Sequence, residues 1–274
     1  MTGRAVRSVV LHLALTAGAV VVLAPLAWML AASLMRPGEA NALPPPLLPS
    51  EPTLANYVTL FTRLNMARSF LNSALVTVLA TVLSVVVNSL AGYAFAKLPF
   101  PGRERLFTSL AAALVVPAQV GMLPLFLLLR ELGLVNTYAG VLVPYLASIY
   151  GIFLIRQYAL GVSDELLDAA RIDGANELTV FRLVALPVLK PILVTLAAFT
   201  FLSAWNDFMW PLIVLSDGSM YTLPVALANL MGEHVQDTEL MMAGSVVTIL
   251  PALMVFLVFQ RTYVHGIMAG AVKG

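Results

Sequence analysis

The chain alternates long stretches that carry no charge with short stretches crowded with charge. A helix needs about 20 apolar residues to cross the hydrocarbon of a bilayer. Stretches near 9–32, 69–96, 106–129, 138–155, 191–215 and 240–259 satisfy that length. The pattern predicts an all-α integral membrane protein with six spans in one transmembrane domain over 1–274. Loops 36–68 and 216–239 fall on one side and the long loop 156–190 on the other. Pro25, Pro117, Pro124, Pro144, Pro211 and Pro251 lie inside the predicted spans. Neighbouring helices and water can take up the carbonyls they free, so each is a candidate bend.

Hydrophobic residues make up 60% of the chain and charged ones 11%, with a mean hydropathy of +0.93. A soluble domain carries about 25% charged residues, so this surface belongs in lipid. The net charge of +1 gives no reason to expect a nucleic-acid partner. There is no cysteine, which excludes thiol catalysis, disulfides and cysteine-ligated metal. Arg4 and Arg7 ahead of an apolar run imitate a secretory signal, with Ala31-Ala32-Ser33 in the place of a cleavage site. The uncharged run 8–35 is far longer than the roughly 7–15 residues of a signal core, and a retained first span is expected.

Charge position sets the orientation. Arg4 and Arg7, then Lys97, Arg103 and Arg105, then Arg156, Arg171, Arg182 and Lys190, then Arg261 and Lys273 all fall on one side of the six-span pattern. The connection 216–239 carries Asp217, Glu233, Asp237 and Glu239 without a Lys or Arg. The positive-inside rule therefore places both termini and the 156–190 loop in the cytoplasm. The first external loop is rich in proline (Pro44-Pro45-Pro46, Pro49, Pro52) and reads as an extended cover.

Within the cytoplasmic loop, 163–190 reads as two short helices joined by a turn. Ser163 is placed to cap the first, with Asp164 and Glu165 at its positive end. Gly174 suits the left-handed residue that ends a helix. Asn176 is placed to cap the second, whose Leu178, Phe181 and Val184 form a stripe. Pro187 and Pro191 are expected to separate this unit from the fifth span. Ala169, Ala170 and Ala175 keep its surface low, and Asp173 offers an acceptor at the bend. The shape suggests a knob for a socket on another protein.

The run Asp168-Ala169-Ala170-Arg171-Ile172-Asp173-Gly174-Ala175, followed by Phe181 and Leu186-Pro187, resembles the "EAA" signature of ABC importer permeases. Further likeness to the maltose-type, carbohydrate-uptake permeases covers nearly all of the chain. It is carried by Asn72-Ser73, Ala91-Gly92-Tyr93-Ala94-Phe95-Ala96 and Phe100-Pro101-Gly102. It continues in Ala204-Trp205-Asn206-Asp207 with Trp210-Pro211-Leu212, in Tyr221-Thr222-Leu223-Pro224, and in the tail from Gln260-Arg261 to Gly270-Ala271-Val272-Lys273-Gly274. The specific resemblance is to the MalG-like partner of the heterodimer. It implies a type I importer permease fold in a bacterial inner membrane, importing an oligosaccharide or sugar derivative. The alternative is a non-sugar polar solute such as glycerol 3-phosphate or a polyol. It also implies the partners: a second, MalF-like permease, a dimer of ABC ATPase subunits that bind ATP and Mg, an extracytoplasmic solute-binding protein, and lipid. No cofactor is expected on this chain. The coupling residues carried over are Asp168, Ala169, Ala170, Asp173, Gly174, Ala175, Phe181, Leu186 and Pro187. The family usually has Glu where this chain has Asp168, so a carboxylate one methylene shorter would meet the ATPase. By the same resemblance the tail at Gly270, Lys273 and Gly274 reaches the ATPase interface. Asn229, Leu230, Met231, Gly232 and Glu233 belong to an external loop that docks the binding protein.

Polar residues in spans usually face protein or water. Asp207 with Asn206, flanked by Trp205 and Trp210, reads either as the outer lining of a solute path or as an interfacial anchor. Asn72 and Asn88 read as substrate-path candidates or as interhelical hydrogen bonds. An ATPase would need a phosphate-cradling G-x-x-x-x-G-K-[ST] loop, and Lys97, Lys190 and Lys273 are followed by Leu98, Pro191 and Gly274. The chain is therefore expected to hydrolyse nothing itself. His12, His234 and His265 form no Ser–His or zinc pattern. An ion-coupled carrier would call for more buried carboxylates and paired broken helices.

Overall fold

A computed structural model describes residues 2–233 and 237–271, with side chains described over 7–230 and 237–260. Among the described residues the structure is helical, without strands. In chain order it consists of α1 (Thr2–Ser33), α2 (Ala55–Thr62), α3 (Met66–Lys97), α4 (Arg103–Ala113), α5 (Met122–Glu131), α6 (Tyr138–Leu146) and α7 (Ile149–Ala159). There follow α8 (Asp164–Ile172), α9 (Glu177–Val180), α10 (Leu186–Trp205), α11 (Met209–Val214), α12 (Leu223–Glu233) and α13 (Thr238–Ala271). Among the described residues five segments are long and apolar enough to cross a membrane, Arg7–Ser33, Met66–Lys97, Tyr138–Ala159, Glu177–Trp205 and Thr238–Gln260, and a bent pair, Arg103–Ala113 with Ala118–Glu131, makes a sixth if it counts as one span.

Several expected boundaries are corrected. The predicted third span, 106–129, is not one rod but α4 and a segment Ala118–Glu131, bent by 100°. Val116 precedes Pro117, whose ring disfavours helix at the residue before it. The last carbonyls of α4 are taken up by a tight turn instead (Leu114, Val115 and Val116 N–H to Ala111, Ala112 and Ala113 O, 3.1–3.2 Å). The predicted fourth span breaks at Ala147 and Ser148, both in extended backbone. The predicted fifth span ends at Trp205, ahead of a break and the short α11. Loop 36–68 contains α2, and 216–239 contains α12.

The described residues form two compact units, one within 1–68 and 226–251 and the other within 69–225 and 252–271. In the first, no part of the most apolar stretch of α1 is buried within the chain, so this face needs lipid or a partner helix to cover it. Its far end packs Ala32, Met35 and Ala40 with Trp28 and Met242. The segment after α1 is pinned rather than extended. Asn56 donates to Ser33 O and Met35 O (3.0 and 2.9 Å), Trp28 Nε1 to Pro46 O (3.0 Å), and the Ala40 N–H to the buried Glu239 (2.6 Å).

In the second unit, two clusters occupy opposite ends of α3. Val76 packs with Leu129, Val141, Trp210 and Val214 at one end. Tyr93 and Ala96 pack with Ile155, Leu167, Phe181 and Leu189 at the other. Helix α7 approaches α3 closely because Gly92 and Gly151 lack a side chain. A Cβ on Gly92 would stand 2.6 Å from Ile155 Cβ, and one on Gly151 3.0 Å from Asn88 Cγ. Small residues at crossings are how membrane helices gain contact without a hydrophobic force between them. Gly92→Leu should therefore lower stability by about 1–3 kcal/mol through overpacking. A thermal-unfolding shift of detergent-purified protein checks this, and an unchanged melting point would contradict the close crossing.

Candidate functional site

The 163–190 segment folds as the expected hairpin. Helix α8 ends at Asp173, and Gly174 takes φ +88°. The Ala175 N–H reaches back to Ala170 O and the Gly174 N–H to Arg171 O, both 3.0 Å. These two bonds make a Schellman stop, which requires the left-handed residue at Gly174. Asn176 then caps α9, its Oδ1 accepting from the Thr179 N–H at 2.9 Å. Ser163 occupies the cap position of α8 but makes no capping bond. Asp164 is drawn instead to Lys97.

Two cations fix the hairpin. The Arg171 guanidinium forks onto Glu177 (Nε to Oε1 2.7 Å, Nη2 to Oε2 3.1 Å) while Nη1 donates to Asp168 Oδ1 (2.7 Å). One planar group thus ties α8 to α9. Glu177 and then Asp168 raise the Arg171 pKa above its ordinary value. The buried Lys97 Nζ donates to Val162 O (2.6 Å) and Asp164 Oδ1 (2.7 Å), riveting the end of α3 to the start of α8. That bond holds the Asp164 carboxyl below its usual range. Arg156 of α7 lies 3.9 Å over the Phe107 ring and donates to both oxygens of Glu104. The clamp through Glu177 escaped sequence reading because it depends on α9 folding back beside α8. The short carboxylate of Asp168 is engaged within the chain.

The carried-over residues divide in two. Asp168, Ala169, Asp173 and Gly174 are exposed, and a Cβ on Gly174 would meet nothing within 4 Å. Beside them Ile172 is 86% and Leu178 67% exposed. Ala170 and Ala175 instead pack against the core, so the expected low surface reduces to Ala169 and the glycine turn. Phe181 is buried against the Tyr93 ring (centroids 5.1 Å apart), and Leu186 packs beside the same cluster.

Pro187 and Pro191 do not separate the hairpin from the fifth span, contrary to expectation. Residues Phe181–Ala185 form a π-helix that carries α9 directly into α10, and the Leu186 N–H returns to Phe181 O. Pro187 has no N–H and would clash in a regular α-turn, and the wider turn just before it accommodates the ring. Pro191 lies inside α10.

The polar residues in the spans are mostly structural ties. Asn72 donates to Ser219 O and Tyr221 O (both 3.0 Å) and accepts from the Tyr138 hydroxyl (2.7 Å). Asn88 donates to Ser84 O and Oγ (2.7 and 2.8 Å) and accepts from the Ser148 N–H (2.9 Å). Trp205 is buried against Phe70 and Phe201. Asn206 is exposed and donates to Leu202 O. The Trp210 indole donates to Gly140 O (3.2 Å). Asp207 accepts from the Tyr145 hydroxyl (2.6 Å) and the Trp210 N–H (3.3 Å). Tyr145 in turn lines a cavity of about 340 Å³ with Ser84, Ser148, Tyr150, Thr200 and Ser203. Sequence reading missed this cavity, whose hydroxyls converge from three separate apolar stretches.

Among the expected binding-protein contacts, Asn229 is exposed and Leu230 buried. They sit on α12, with the backbone of Met231, Gly232 and Glu233, so the expected loop is a helix. The side chains of those three lie outside the description. In the tail, Gly270 belongs to α13, while Lys273 and Gly274 lie outside the described residues. Among the described residues no His, Asp and Glu cluster could hold a metal ion.

Residues 88–267 match the family of binding-protein-dependent transport system inner membrane components. The arabinooligosaccharide transport permease of Halalkalibacterium halodurans is 41% identical over 82% of this chain and 81% of its own length. The lactose transport permease of Rhizobium radiobacter is 34% identical over 80% of each. The sn-glycerol-3-phosphate transport permease of Agrobacterium fabrum is 30% identical over 97% of each. In three dimensions the chain resembles a subunit of a bacterial ABC transporter that imports the acidic polysaccharide alginate. The TM-score is 0.84 at 25% identity, covering 95% of this chain and 98% of that one. With this family match, these relatives and helices built to span lipid, the chain belongs to the multi-pass inner membrane permeases of binding-protein-dependent ABC importers.

Proposed function

We propose that this chain is the MalG-like half of a sugar importer's translocation path, driven through its 163–190 hairpin by a separate ATPase dimer. The observation that carries the reading is the hairpin itself. It is clamped by Arg171, riveted by Lys97, and joined without a flexible linker to the span that ends at Trp205. Its tip offers Ala169, Ile172 and Leu178 to a partner, a low and apolar surface suited to a cleft. Closure of the ATPase dimer on ATP and Mg would then move α10 as a lever. The other partners in this reading are a MalF-like permease and an external solute-binding protein, with both termini in the cytoplasm. The carbohydrate relatives favour an oligosaccharide or sugar derivative as cargo, and the glycerol 3-phosphate permease keeps that solute as the second reading.

Affinity purification of the tagged chain from native membranes tests the assembly. A Walker-containing ATPase and a second permease should co-purify, and the binding protein with its solute should stimulate ATP hydrolysis. A chain that purifies alone, even after crosslinking, would overturn the reading. Single cysteines at Ala169 and Ile172 should crosslink to the ATPase readily, whereas cysteines at the half-buried Ala170 and Ala175 should do so weakly. Equal yields at all four positions would argue against this docking face.

Substitution at the turn should separate coupling from insertion. Proline cannot adopt the positive φ of Gly174, so Gly174→Pro should insert normally yet lose uptake and stimulated hydrolysis. Gly174→Ala, with open space around it, carries only the left-handed strain of about 1–2 kcal/mol and should be milder. Arg171→Ala leaves the turn intact and removes a partly exposed clamp of about 0.2–1 kcal/mol per pair. A few-fold loss of coupled hydrolysis is expected. Wild-type uptake in Gly174→Pro at normal expression would show that the hairpin does not transmit force.

A further inference from the structure

We propose that, within the importer described above, this chain itself holds one neutral sugar ring of the cargo in the cavity between α3, α6, α7 and α10. The hydroxyls of Ser148 and Thr200 would be its hydrogen-bond partners, with the fully buried Ser84 behind Thr200, and Tyr150 its apolar face. The inference rests on the sugar-importer reading and adds a site on this subunit.

Depth is the first argument. Ser84 stands midway along Met66–Lys97, and Ser148 midway along Tyr138–Ala159. Hydroxyls in membrane helices usually satisfy themselves on the backbone of the preceding turn, as Thr81, Ser89 and Thr195 do here. Ser84 behaves differently: its Oγ accepts from Asn88 and meets the Thr200 hydroxyl at 3.4 Å across to α10. The helix is also broken at Ala147–Ser148, beside this void. Irregular backbone at membrane depth persists where it is buried in protein or lines a cavity, and broken helices near the midplane are where transporters bind solute.

Size and charge set the class of ligand. A volume of about 340 Å³ is at the low end for ligand sites, roughly 300–1,000 Å³, which suits a ring rather than a polymer. No Lys, Arg or His lines it. The charge adjoining it is the Asp207 carboxylate, which accepts from Tyr145 and Trp210. A phosphate or uronate would find no countercharge there and would face a like one. Hydroxyls, which both donate and accept, match the hydroxyls of a neutral sugar. Tyr150 is half-exposed, and Phe199 meets it nearly edge-on (6.3 Å, 88°), which fixes a ring face for sugar C–H groups.

The assembled transporter, with partner permease, ATPases and binding protein, is reconstituted in proteoliposomes. Uptake of radiolabelled arabinobiose, lactose and glycerol 3-phosphate is measured together with ATP hydrolysis. Uptake of a neutral disaccharide is expected. Thr200→Val should lower it about tenfold, the effect of one hydrogen bond in a desolvated site, and Ser203→Phe should lower it similarly by filling the cavity. Thr200→Ser, which keeps the hydroxyl, should restore it, with binding-protein-stimulated hydrolysis intact in all three variants. Wild-type uptake rates in Thr200→Val and Ser203→Phe would assign the cargo to the partner permease and overturn this site while leaving the importer standing. Loss of stimulated hydrolysis along with uptake in these variants would mark a folding role and equally overturn it. A wild-type complex that carries glycerol 3-phosphate, or neither disaccharide, overturns the neutral-sugar assignment. Absence of any binding-protein-stimulated hydrolysis overturns the importer reading beneath it.

Discussion

In hydrocarbon a backbone amide has no water to fall back on, and every interruption of a helix must be repaired by the protein itself. This constraint decides where the chain can bend and what each bend requires. After α4, three consecutive i→i+3 bonds take up the carbonyls that Pro117 cannot serve. At Ala147–Ser148, the side chain of Asn88 accepts the Ser148 N–H, and the Ser148 hydroxyl accepts the Gly151 N–H. After Trp205, Asp207 accepts from the Trp210 N–H. Between α9 and α10 the helix widens for one turn and continues. Each break therefore brings a polar side chain or an altered turn into an apolar layer. The hairpin junction and the polar cavity lie at those places.

The residues that announced the hairpin were those whose conformation is set locally. Gly174 was legible because a helix stop of this kind needs positive φ, and Asn176 because its side chain reaches only its own first turn. Ser163 carries the same local signal and makes no capping bond. Its neighbour Asp164 answers a lysine 67 positions earlier, which no local rule contains. The three alanines look alike in sequence, and only the packing of Leu167 on α8 with Val180 and Phe181 sends Ala170 and Ala175 inward. The six-span pattern was read from length and hydropathy alone. Neither quantity registers a 100° bend at Pro117 or a break at Ser148, because both segments remain apolar.

The polar groups in the membrane show the same limit from the other side. Asn72, Asn88 and Trp210 stood out in sequence because amides and indoles are scarce in such runs, and the fold spends each on a tie between helices. The serines and threonine of the cavity did not stand out, since single hydroxyls in a span are common and usually bond their own helix. What sets Ser84, Ser148 and Thr200 apart is that α3, α7 and α10 bring them to one place. That convergence is a property of packing alone.

Helix α10 connects the two features. Its N-terminal end is continuous, through the π-turn at Phe181–Ala185, with the capped and clamped hairpin. Thr200, near its other end, forms one wall of the cavity. A rigid helix transmits rotation along its whole length, whereas a proline-separated linker would have absorbed it. The π-turn is thus what lets Pro187 sit at this junction without isolating the hairpin. In the proposed mechanism a displacement imposed at Ile172 and Leu178 would reach Thr200 as a tilt of α10. Ser84 on α3 meets Thr200 at 3.4 Å across to α10, so a tilt of α10 against α3 would change the shape of the void there.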